Sequence, residues 1–110
     1  LHVRLRYFDL DAHRPGLPPD VGALVDALDA ESTSLTLCNA SPNHSRRLML
    51  QAGAFGEHTF TTVTDVTGER PVTQEVNGPH LEVVLAPGAV QRLKLGMRRY
   101  CHQPTYEQPI

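Results

Sequence analysis

The chain has 110 residues, enough polypeptide for one domain. Its 10 Lys and Arg against 12 Asp and Glu give a net charge of -2 with the signs interspersed, which excludes a large basic surface for nucleic acid or anionic lipid. No apolar run approaches the ~20 residues that cross a bilayer, and Leu1-His2-Val3-Arg4 lacks the basic-then-apolar pattern of a signal peptide. Neither nucleic acid nor membrane is therefore an expected partner.

Residues 2–8 alternate, with Val3, Leu5 and Tyr7 on one face and His2, Arg4 and Arg6 on the other, the pattern of a half-buried strand. The start without Met, directly in that strand, is the expectation for a piece of a longer chain. Residues 9–19 follow, where Pro15, Gly16, Pro18 and Pro19 forbid a ladder and predict a surface connection. From Asp20, a capping residue, Val21, Leu24, Val25 and Leu28 recur at helical spacing and predict one short amphipathic helix over 20–30.

Period two then returns. Residues 32–39 place Thr33, Leu35 and Leu37 together, the polar stretch 39–45 turns the chain, and 46–51 places Leu48 and Leu50 together, which reads as a hairpin. Gly53 and Gly56 bracket an irregular stretch before a Thr-rich strand over 58–64. A weak strand at 72–76 is followed by one carrying Leu81, Val83 and Leu85. The last strand starts near Val90, with Leu93, Leu95 and Met97 inward and Arg92, Lys94 and Arg98 in solvent. Short strands with frequent turn signals mark an antiparallel sandwich.

Chemistry-bearing residues are few. The 6 histidines show no His-x-His, no His-Glu-x-x-His and no Cys-x-x-Cys, and His13, His44 and His80 sit near Pro or Asn in turn sequence. Glu57 and His58 could form an acid/base pair, but neighbours in a strand point to opposite faces. Asp9 and Asp11 read as solvated turn residues. With no Trp, Phe55 in the glycine-bracketed loop is the best exposed aromatic for a sugar face, although a lid over one end of the sandwich is the favoured reading of it. The 2 cysteines, Cys38 and Cys101, are expected to be buried thiols rather than a disulfide. Asn39-Ala40-Ser41 and Asn43-His44-Ser45 both fit the glycosylation acceptor pattern, the first disfavoured by Pro42.

Leu35-Thr36-Leu37-Cys38-Asn39-Ala40-Ser41-Pro42 followed by Arg46-Arg47-Leu48-Met49-Leu50 resembles the strand, Asn, polar turn and strand of the C-terminal β-sandwich domains that follow the catalytic barrel in glycoside hydrolases, arabinofuranosidase-like enzymes among them. The run from Leu81 to Leu95, with its Ala86-Pro87-Gly88-Ala89 corner, resembles their closing hairpin. The resemblance covers residues 32–97; the Pro-rich front segment and the loop over 51–58 depart from it. It implies a noncatalytic domain that packs against the barrel and stabilises it, with no catalytic residue to carry over because the family's acid and nucleophile lie in the barrel.

The expectation is thus a mainly β chain: an antiparallel β-sandwich of immunoglobulin-like or Greek-key type, with about six to eight strands and one short helix over residues 1–100, and an irregular tail over 101–110. Phe55, Glu57 and His58 are the candidate binding residues. No catalytic residue, metal or cofactor is expected. The expected partner is the catalytic domain of a larger bacterial, carbohydrate-active chain. A free-standing carbohydrate-binding module is the alternative, and a small metal enzyme would need three histidines to converge.

Overall fold

In the computed structural model of the chain, residues 5–28, 32–53, 56 and 58–98 are described, except for the side chains of 26–28. Nine strands follow in order: β1 Leu5–Asp9, β2 Arg14–Pro15, β3 Val21–Leu28, β4 Ser32–Asn39, β5 Arg46–Ala52, β6 Thr59–Asp65, β7 Val72–Gly78, β8 His80–Leu85 and β9 Val90–Arg98. They form two sheets, β2-β1-β5-β8 and β3-β4-β9-β6-β7, and every pairing is antiparallel.

Alternation builds the core between the sheets. Leu35 and Leu37 of β4, Leu93, Leu95 and Met97 of β9, and Phe60 and Val63 of β6 meet Leu48 and Leu50 of β5 and Val83 and Leu85 of β8. Leu5 and Tyr7 pack against this cluster from β1, as the sequence pattern predicts. Phe8 is also buried yet lies outside the cluster. Alternation directs it to the opposite face of its sheet from Tyr7, where the Arg6 guanidinium sits 5.0 Å from its ring centroid.

Several expectations are overturned. No helix occurs among the described residues, and of the predicted helix over 20–30, Val21–Leu28 is strand β3, with 29–30 outside the described residues. Asp20 does not cap a helix; it turns the chain at φ 65 and pairs with Arg46 at 3.3 Å. β3 pairs with β4 in register from Val21 to Val25, then slips by one residue before Ala27. The inserted residue breaks the two-residue period within the strand, so this stretch lacks the plain alternation that marks β4 and β9 in the sequence. Leu24, which completed the helical stripe on paper, faces outward and is 62% exposed.

The connection after β1 holds a two-residue strand of its own, with Phe8 opposite Pro15. β4 and β5 do not form a hairpin, because they belong to different sheets, and the same is true of β8 and β9. The tail over 101–110 and residues 2–4 of the first predicted strand lie outside the described residues.

Candidate functional site

Of the three candidate binding residues, Phe55 and Glu57 lie outside the described residues. His58 is buried, and its backbone N–H donates to the carbonyl of Ala52 at 3.2 Å. Gly53 and Gly56 both adopt left-handed backbone, at φ 85 and 70, which lets the chain curl at the end of β5. Gln51 and His80, which sequence reasoning did not connect, meet there as directly opposed residues of β5 and β8. The Gln51 amide donates to the carbonyl of Gly53 at 3.2 Å, so its oxygen faces His80 at 3.0 Å, and His80 Nε2 must carry the hydrogen. His80 is therefore a half-buried strand residue and not the solvated turn residue expected from its proline neighbour. The one local signal was a polar Gln51 ending an apolar strand.

A second feature was not foreseen. A cleft of about 300 Å³ opens between β8 and the β9-β6-β7 side of the wider sheet. Directly opposed residues in neighbouring strands share a face. Asp65 and Val72 stand in one row with the core residue Leu93, and Gln74 stands beside Val63, so all three point toward the interior side. The narrower sheet stops short of them. Val72 is consequently 60% exposed; Val84, on the outer face of β8 between the inward Val83 and Leu85, is 53% exposed. Asp65 accepts the N–H of Thr67 at 2.9 Å and has no ion-pair partner among the described residues.

The other sequence candidates are structural. Asp9 is buried, not solvated: its carboxylate accepts the N–H groups of Asp11 and Ala12 at 3.1 and 3.2 Å and closes its own turn. Asp11 is exposed and pairs with Arg47 at 3.2 Å. His13 and His44 are exposed turn residues, as expected. Cys38 is a free, exposed thiol and not a buried one. Among the described residues, no three His, Cys, Asp or Glu side chains converge as a metal site would require.

Two antiparallel sheets of unequal width, with a mixed polar and apolar cleft along the uncovered margin, define the class of domain. Comparison with protein-family models, with curated proteins and with solved structures gives no match.

Proposed function

We propose that this chain is a noncatalytic accessory β domain that packs against, and stabilises, the catalytic domain of a larger carbohydrate-active enzyme. The uncovered margin carries the reading. Val72 presents its apolar side chain to solvent in the cleft, and Val84, alternating with the buried Val83 and Leu85, presents its own on the outer face of the same edge; apolar groups gathered at one edge mark an interaction surface more than a solvated one. The resemblance of residues 32–97 to the domains that follow glycoside hydrolase barrels supports the carbohydrate setting. The repeated crossing of the chain between sheets, at β4 to β5, β5 to β6, β7 to β8 and β8 to β9, fits a Greek-key sandwich.

The test is a paired measurement on Val72→Asp with Val84→Asp. In the 110-residue chain the pair shifts stability by less than about 1 kcal/mol, as exposed positions do. In the full-length gene product it lowers the melting temperature of the catalytic domain. An unchanged full-length protein overturns the proposal.

A carbohydrate-binding module is the second reading, favoured by the carboxylate of Asp65 and the amides of Gln74 and Gln91 over the apolar floor of the same cleft. Calorimetric titration with neutral polysaccharides, weakened by Gln74→Ala, is its signature.

A further inference from the structure

The cleft margin also defines what kind of element covers it. An edge strand exposes unpaired backbone, and natural proteins blunt such edges with short strands, prolines, bulges or inward charges. Three of the four edges here are blunted. β2 is two residues long and ends in Pro15. β3 carries a bulge after Val25. β7 carries an extra residue against β6 near Asn77, whose φ is 51. β8 differs: its six residues hold an unbroken register with β5 and contain no proline or bulge.

The hydrogen-bond phase shows which of its groups are open. The Leu10 N–H donates to the carbonyl of Arg47 at 3.2 Å, and the Ala52 N–H donates to that of Pro79 at 2.8 Å. In an antiparallel ladder successive residues bond to alternate sides, so odd-numbered residues of β5 bond toward β1 and even-numbered ones toward β8. The register then turns Leu81, Val83 and Leu85 toward β5. The backbone groups of Glu82 and Val84 point to the open side.

We propose that this edge accepts one extended strand of the partner domain, laid beside β8 and over β7, completing the four-stranded sheet to five. The proposal rests on the accessory-domain reading and names the partner's element at that same margin. A strand matches each feature of the slot. Its backbone answers the groups of Glu82 and Val84, its inward apolar side chains cover Val72, and one Lys or Arg answers the Asp65 carboxylate, which has no ion-pair partner among the described residues.

The probe is a short blocked peptide alternating Val and Thr with a central Lys, added to the 110-residue chain. Amide hydrogen exchange is read by NMR at Glu82 and Val84. Saturating peptide slows exchange at both amides at least about tenfold, and a peptide with central Glu binds about tenfold more weakly. Asp65→Asn removes that difference. Val84→Pro, which deletes an N–H outside the β5 ladder, abolishes binding while the fold survives; the exchange data on the unsubstituted chain stand without it. Unchanged exchange at Glu82 and Val84, equal binding of the two peptides, or protection produced by cellohexaose in place of the peptide overturns strand addition. If the peptide fails while the Val72 and Val84 changes still destabilise the full-length product, strand addition falls and domain packing stands.

Discussion

The side-chain amide of Asn39 donates to the carbonyl oxygen of Leu85, 46 residues further along the chain, at 3.2 Å. It also donates to the carbonyls of His44 at 2.8 Å and Ala86 at 3.2 Å, and its oxygen accepts the N–H of Ser41 at 3.0 Å. One fully buried residue thereby ties the corner from β4 to β5 to the corner from β8 to β9, both of which cross between the sheets. Replacing it with Ala leaves several backbone groups unanswered at once, each loss costing about 1–3 kcal/mol where the group stays dry. Asn39→Ala should lower stability by about 2–4 kcal/mol in urea titration, and Asn39→Asp, which keeps the acceptor and deletes the donors, should be no better.

Thr33 makes the opposite case. Its hydroxyl is buried with no hydrogen-bond partner among the described residues, so the group carries a desolvation cost with nothing to offset it. Thr33→Val keeps the shape and removes the polar atom. The expected result is a gain of about 1 kcal/mol in the same titration.

Gly96 is held by the bulge opposite it. β6 spends two residues, Thr61 and Thr62, where β9 spends one, and a Cβ on Gly96 would lie 2.7 and 2.9 Å from their hydroxyl oxygens. Threonine is stiff at χ1, so neither oxygen swings away freely. Gly96→Ala should cost about 1–3 kcal/mol, and adding Thr61→Ala should recover part of the loss; a neutral Gly96→Ala would show the bulge to be soft.

Burial raises the pKa of the Tyr7 phenol above its ordinary value. A group held more strongly protonated in the folded chain supports stability fully below its unfolded pKa and loses that contribution as pH rises through the folded value. The unfolding midpoint should therefore fall as pH climbs above about 10. Tyr7→Phe should flatten that limb; an identical alkaline decline in both proteins would assign it to other groups.

The two glycosylation acceptor sequences are separated by the fold. Asn39 is buried with its amide nitrogen engaged three times, whereas Asn43 is exposed in the turn. Secretion from a eukaryotic host should add one glycan at Asn43 and none at Asn39. Mass spectrometry of the product, with Asn43→Gln as the comparison, reads the outcome directly.

Most of the secondary structure was legible because a strand's side-chain period is a local property. The inward sets of β4, β5, β8 and β9 follow from alternation alone, and the turns around them from Pro, Gly and Asn. β3 misled for an equally local reason: a bulge breaks the alternation that marks a strand, and only the register with β4 exposes the inserted residue. The candidate site was less legible. His58 lay in view, but Gln51 and His80 are neighbours only because β5 pairs with β8, and Asp65 and Val72 form a cleft only because the two sheets differ in width.

By itself the sequence determined that this is a mainly β domain with two-faced strands, since burying alternate apolar residues leaves little choice of local conformation. The tertiary structure alone decided which strands share a sheet, that neighbours such as β4 and β5 part company, and that the edge of β8 is left open. Those outcomes depend on contacts between residues far apart in the chain, where burial and hydrogen-bond satisfaction of the whole core outweigh the preference of any single segment.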